Sequence, residues 1–288
     1  MSTHHAVFVT GASGTVGSSV VQYLLELGVP VVAATRSNAD ATRLAPGAES
    51  RHFDLAMTRM ELEAALSGCD RLFLMRPPAI SDVQTYLFPL IDAAQRVGIR
   101  QIVFLSLQGV QGNKRTPHHA VEQYLKRIDA PYTSLRPNFF MQNLTAMYGA
   151  EIRESSEIFV PAGRSFTAFI DARDVGRVAA AVFTSGGHLR KAYTLSGEQP
   201  LSYARIARTL SRVLQRPIHY ARPSEREYLD RLRSEDRPGD YIDVQKMIYR
   251  IVRWNISAFP NRKIRQLTGR PATTFLEFAE REKAVWER

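Results

Sequence analysis

A single cysteine, Cys69, is all the thiol chemistry available to this chain of 288 residues. That excludes an internal disulfide and a multi-cysteine metal site, and it fits a reducing compartment. Its place just before Leu72-Phe73-Leu74 points to a buried or half-buried structural thiol rather than a nucleophile. No apolar run approaches the roughly 20 residues of a membrane span, so no membrane partner is expected. Met1-Ser2-Thr3-His4-His5 leads directly into the first apolar segment, so no signal peptide is expected. A cytoplasmic protein is the expectation. Repeats and low-complexity stretches are also lacking. The two adjacent histidines His118 and His119 do not share a helix face and have no further ligands in register, so no metal site is expected.

Hydrophobic content of 44% and charged content of 23% are ordinary for a soluble globular chain long enough for one large domain with a smaller annex. The net charge of +10 is unevenly placed. Residues 1–200 carry 19 Lys and Arg against 17 Asp and Glu, whereas residues 201–288 carry 19 against 11. Such a basic third could attract an anionic partner. Yet Arg205, Arg208, Arg212 and Arg216 recur at helical spacing among Ile206, Leu210, Val213 and Leu214, without interleaved aromatics. That is the pattern of a solvated helix face, and nucleic acid is not an expected partner.

What the chain does have is concentrated at its start. The apolar strand Ala6-Val7-Phe8-Val9-Thr10 runs into Gly11-Ala12-Ser13-Gly14-Thr15-Val16-Gly17, and an amphipathic pattern follows through Val20, Val21, Leu24 and Leu25 to Gly28. A strand that breaks on glycine and restarts as a helix aims backbone N–H groups and a helix N-terminus at one spot, which suits a diphosphate. The spacing G-x-x-G-x-x-G, between a buried strand and a helix, reads as a dinucleotide fingerprint. Strand-like and helix-like segments then alternate as far as Tyr132–Leu135, which predicts an α/β fold with a doubly wound parallel sheet. Ligands of such sheets bind beyond the carboxyl ends of the strands. A nucleotide domain over residues 1–150, with parts of 165–198 returning to it, and a smaller domain over 151–288 are the expected organisation. Within the latter, Ile158–Val160 and Ser165–Ile170 read as a hairpin around Pro161-Ala162-Gly163-Arg164.

Further candidates lie at predicted strand ends. The second strand ends Thr35-Arg36-Ser37, with no acidic residue before Asp40. A guanidinium there can fork onto a 2′-phosphate, so NADP(H) is favoured over NAD(H). Asp54 and Leu55 follow the third strand, where the Asp either meets an adenine or caps the next helix. Met75, Arg76 and Pro77 end the fourth strand in a proline-stiffened loop suited to lining a cofactor. The fifth ends Ser106-Leu107-Gln108, and Thr116-Pro117-His118 opens the next helix. Glu122, one turn on from His118, is placed to orient the imidazole and raise its pKa. That makes His118 the candidate acid or base.

These segments together resemble the NmrA-like, atypical branch of the short-chain dehydrogenase/reductases. The likeness also rests on Val121-Glu122-Gln123-Tyr124-Leu125, on Leu135-Arg136-Pro137-Asn138-Phe139-Phe140-Met141-Gln142-Asn143, on Phe169 to Val175, and on Leu267-Thr268-Gly269-Arg270-Pro271. Within the branch, type 2 quinone oxidoreductases and triphenylmethane reductases are most similar. The resemblance implies an NADP(H)-binding Rossmann domain and a smaller α/β domain, with a quinone-like or aromatic substrate in the cleft. It places Pro137, Asn138, Phe139 and Phe140 beside the nicotinamide, His118 at the same end, and Asp171, Arg173 and Asp174 as braces at the domain junction. The superfamily's usual acid, a Tyr four residues before a Lys, is missing: those positions hold Val110, Glu122, Gly187, Ile242, Phe259 and Ala279. Its helper hydroxyl is replaced by Gln108. Hydride addition to a quinone gives a resonance-stabilised anion that water, His118 or Gln108 could assist. The expected function is therefore an NADPH-dependent reductase. The alternative is a regulator that senses NADP(H) and binds a protein partner without turnover. A homodimer is among the open oligomeric states.

Overall fold

The computed structural model describes residues 6–288; Met1–His5, expected to lead into the first strand, lie outside the described residues. In chain order the elements are Ala6–Val9 (β1), Thr15–Glu26 (α1), Val31–Thr35 (β2), Asn38–Ala41 (α2), Glu49–His52 (β3), Arg59–Ala65 (α3), Cys69–Met75 (β4), Val83–Tyr86 (α4), Phe88–Arg96 (α5), Gln101–Leu105 (β5), Pro117–Arg127 (α6) and Tyr132–Pro137 (β6). Then come Asn143–Ala146 (α7), Gly149–Ser155 (α8), Glu157–Ile158 (β7), Ala172–Thr184 (α9), Lys191–Leu195 (β8), Tyr203–Leu214 (α10) and His219–Tyr220 (β9). The chain closes with Glu225–Ser234 (α11), Gly239–Arg253 (α12), Lys263–Thr268 (α13), Phe275–Arg281 (α14) and a 3-10 turn at Lys283–Val285.

Two compact units result. The first takes in residues up to Pro137, Ala172–Leu195 and Lys263–Arg270. Its seven strands run in the order β3-β2-β1-β4-β5-β6-β8, and every pairing is parallel. This is the Rossmann-like α/β sheet that the alternating pattern predicts. Strands covered on both faces read as unbroken apolar runs; Val7, Phe8 and Val9 in β1 and Leu72, Phe73 and Leu74 in β4 are fully buried. Cys69 sits in this core, and burial pushes its thiol up to about 11. From β1 the strand order runs to β2 and β3 on one side and to β4 on the other. The reversal leaves a crevice beyond the carboxyl ends of β1 and β4, where a ligand fits. No helix of the described residues is long and apolar enough to cross a membrane.

The second unit comprises Asn138–Asp171, Ser196–Arg262 and Pro271–Arg288. Its core holds Tyr148, Tyr203, Tyr228, Tyr249, Phe278 and Trp286. The phenols of Tyr148 and Tyr249 bond each other, and Tyr228 donates to Gln245 at 3.1 Å. Tyr228 and Tyr249 are thus core, while Trp254 is 71% exposed. The predicted hairpin does not form. Glu157–Ile158 pairs in parallel with His219–Tyr220, and Thr167 and Ile170 make isolated bridges to Leu201 and Phe140. Arg216 also departs from its predicted solvated face. It follows the helix rather than lying on it, and its guanidinium binds the carbonyls of Ile152 and Trp286 at 3.0 and 2.9 Å. Arg205, Arg208 and Arg212 are exposed as expected.

Candidate active site

The glycine turn is built by exclusion. The Thr10 hydroxyl donates to the Phe73 carbonyl at 3.0 Å and accepts from the Met75 N–H at 2.9 Å, tying the ends of β1 and β4 together as they diverge. Gly11 follows with φ +62°, and a Cβ there would stand 2.4 Å from the Met75 sulfur. A Cβ on Gly17 would stand 2.0 Å from the Gly11 carbonyl oxygen, so only glycine lets α1 start this close to the turn. Gly14 caps α1 without any side-chain hydrogen bond, and the first turn carries no acid. Its N–H groups and the positive end of the helix dipole are left for an anion. Gly11 and Thr15 are exposed, and Ser13 and Gly14 half-buried, at this mouth. Val16 and Gly17 are buried and act through packing.

Arg36 lies just beyond β2 with its side chain exposed. Beside it stands a group the sequence reading passed over. The Asp40 carboxylate accepts from the Ser13 hydroxyl at 3.2 Å, the Arg36 N–H at 3.3 Å and the Ser37 hydroxyl at 3.3 Å. Burial raises its pKa, but these bonds and the nearby Arg36 charge win, and the carboxyl stays below the ordinary value. The signal was legible: Ser37 caps α2 by accepting from the Asp40 N–H, and Ser-x-x-Asp is capping-box spacing, which folds an acid back over the helix start. At the end of β3, Asp54 is exposed and accepts from the Ala56 N–H at 2.8 Å. It does not cap the next helix. Thr58 does, in a capping box with Glu61. Leu55 is half-buried beside it.

Beyond β4, Met75, Arg76 and Pro77 are half-buried. One arm of Arg76 donates to the carbonyls of Pro77 and Pro78 at 2.9 and 3.0 Å and of Ile80 at 2.5 Å, so it holds its own loop in shape. Beyond β5, the Ser106 and Gln108 N–H groups continue the ladder to Leu135 and Pro137. Ser106 is only 4% exposed, and its hydroxyl donates to Glu122 at 2.7 Å. Leu107 and Gln108 are half-buried at the strand tip.

Glu122, itself 2% exposed, has been claimed by another partner: Arg136 forks onto it at 2.9 and 2.5 Å. Burial works against the carboxylate, yet the Arg136 and Ser106 bonds keep its pKa lowered. The expected His118–Glu122 pair does not form; among the described residues no hydrogen bond or ion pair joins them. The expected rise in the His118 pKa is reversed as well. Burial first, then the positive Arg76, lower it from 6.5 to about 4, and Glu122 opposes this only in part. The imidazole, half-buried and 6.1 Å from the Phe104 ring, is neutral at physiological pH.

Pro137 closes β6, and its carbonyl accepts from Gln108 at 2.9 Å. Asn138 is buried in the second unit, with its amide donating to the Ser257 carbonyl and its oxygen accepting from the Phe139 N–H. Phe139 and Phe140 are half-buried, and Phe139 packs on the tyrosine-rich core. Asp171, fully buried, accepts from Gln142 and Arg281 at 2.7 and 2.8 Å within the same unit.

Comparison with known proteins extends over nearly the whole chain. The model of the NmrA-like family matches residues 3–255. An NAD(P)H azoreductase of Xenophilus azovorans is 33% identical over 287 residues, covering 97% of this chain and 99% of the relative. Two solved structures share the fold at 24% identity, each covering 96% of this chain and 99% of the other. One is the Citrobacter sp. triphenylmethane reductase complexed with NADP(H), with a TM-score of 0.84. The second is the NADPH-dependent quinone oxidoreductase of Escherichia coli complexed with NADPH, with a TM-score of 0.85.

Proposed function

The chain belongs to the NmrA-like family, and on that footing we propose that it is an NADPH-dependent oxidoreductase that reduces a quinone or another conjugated aromatic small molecule. The observation that carries the reading is the cradle at the end of β1. Gly17 there leaves no room for a Cβ beside the Gly11 backbone, Gly11 holds a positive φ, and the helix behind them offers uncapped N–H groups to an anion. A dinucleotide diphosphate fits that donor set. Gly11, Ser13, Gly14 and Thr15 would hold it, with Arg36 taking the 2′-phosphate and Asp54 and Leu55 the adenine. Met75, Arg76, Pro77 and Leu107 would serve the nicotinamide end.

When bound, the cofactor supplies a hydride. What remains for the protein is positioning and exclusion of charge. An azo linkage, a quinone and a triphenylmethane cation are all electron-poor conjugated systems that take a hydride; the first two spread the resulting negative charge, and the cation is simply neutralised. Such acceptors need no strong acid, which accords with a sequence without a Tyr–Lys pair and with a neutral His118. His118 and Gln108 then act as hydrogen-bonding groups toward the substrate.

The test is NADPH oxidation by the purified chain against a panel of quinones, azo dyes and triphenylmethane dyes, alongside cofactor titration by protein fluorescence. Turnover of at least one class is expected. Tight NADPH binding with no turnover of any would replace the reading with a regulator that senses the cofactor.

A further inference from the structure

The donors gathered around Arg36 already hold an anion belonging to the chain. Asp40 draws on the Ser13 hydroxyl from the glycine turn and on the Arg36 N–H and Ser37 hydroxyl from the segment after β2. On the cofactor reading above, Arg36 takes the 2′-phosphate of the adenosine ribose and Ser13 the neighbouring diphosphate, so Asp40 stands between them. All three bonds are 3.2–3.3 Å, at the weak end of the range, so the carboxylate is loosely held. Among the described residues the Arg36 guanidinium makes no hydrogen bond or ion pair, and its charge lies close enough to act on Asp40.

From this juxtaposition we propose that Asp40 is a specificity-determining residue that moderates the preference for NADP(H), opposing the 2′-phosphate as a like charge while accepting from the free ribose hydroxyls of NAD(H). Arg36 pulls toward one dinucleotide and Asp40 toward the other. The chain therefore binds both. The sequence shows Arg36 alone at the usual position, which by itself points to NADP(H) only. The fold supplies the acid from four residues later.

The experiment measures dissociation constants of NADPH and NADH, by isothermal titration calorimetry, for the full chain and for Asp40→Asn and Asp40→Glu. Asp40→Asn keeps the hydrogen-bonding shape without the charge. It should raise the NADPH-over-NADH affinity ratio about tenfold, chiefly through tighter NADPH, as removal of one nearby like charge allows. Asp40→Glu should stay within about threefold of the parent ratio because the charge remains. An unchanged ratio in Asp40→Asn, or equal weakening of both dinucleotides, would overturn the proposal and leave Asp40 a helix-capping residue. Should the parent chain bind neither dinucleotide, the cofactor reading itself falls and takes this inference with it. Binding with an unchanged ratio sinks the inference alone.

Discussion

The two ends of the crevice in the first unit are built on opposite plans. On the β1–β2 side the donors are left waiting: an uncapped helix start, an exposed guanidinium and a loosely held carboxylate. On the β5–α6 side the charges are sealed off. Glu122, Arg136 and Ser106 satisfy one another beneath the surface, and the nearest imidazole is held neutral. One end is suited to capturing a charged ligand. The other, where on the proposed reading the hydride acceptor would sit, keeps its carboxylate paired with Arg136 and its His118 neutral. Binding and chemistry thus ask for opposite electrostatics within one sheet.

The sealed side should give the largest effect when broken. Arg136→Met leaves the Glu122 carboxylate buried without its guanidinium, and a loss of about 3–5 kcal/mol in urea unfolding is expected. The double variant with Glu122→Gln should lose less, since no charge is then stranded. A double variant as unstable as the single would mean that packing, not charge, holds this side. The sign of the pH dependence follows from the lowered Glu122 pKa. Its stabilisation is complete above the ordinary value of 4.5 and fades as pH falls through the lower folded value. In the double variant that acid-dependent portion should vanish.

The open side responds in binding rather than in stability. Arg36→Ala should weaken NADPH by about 1.5–3 kcal/mol, the range for a hydrogen bond to a charged group, and leave NADH nearly unchanged. Equal loss for both would show that the arginine does not read the phosphate. Next in size comes the turn itself. Gly17→Ala sets a Cβ 2.0 Å from backbone and should lose about 1–3 kcal/mol of stability together with cofactor affinity. Gly14→Ala, where the nearest atom lies at 3.2 Å, should be milder. If the two variants behave alike, close approach of α1 is not what shapes the cradle.

The open side was also the more legible from sequence. Glycines at fixed spacing and an arginine after a strand are local signals, and the parallel sheet follows from alternation of apolar runs. The sealed side was misread because its partners come from different elements. Arg136 lies on β6, fourteen residues from Glu122, and nothing local announces that it outcompetes His118 one helical turn away. The same holds in the second unit. Ile158–Val160 reads as a hairpin with Ser165–Ile170, whereas Glu157–Ile158 finds its partner at His219–Tyr220, across a separation that no turn signal spans. Asp40 falls between the two cases, because its capping spacing is local but its bond to Ser13 is not.

His118 gives the smallest and most discriminating contrast. Were it an acid catalyst with an ordinary or raised pKa, kcat would fall as pH rises through about 6.5–7, where the imidazolium is lost. With the pKa lowered to about 4 by burial and by Arg76, the ring is already neutral across pH 5–8, and the profile should show no His118 inflection there. His118→Gln retains a hydrogen-bond donor and should lower kcat less than tenfold on the order of one bond's worth, with His118→Phe lower still. Cofactor affinity should stay put in both. Replacing Arg76 with Gln removes one of the two causes of the lowered pKa, so an inflection should then enter from the acid side while burial holds it below 6.5. A profile in the parent enzyme that bends near neutrality and straightens in His118→Gln would restore the histidine as an acid. It would also show that the sealed side of the crevice carries a proton after all.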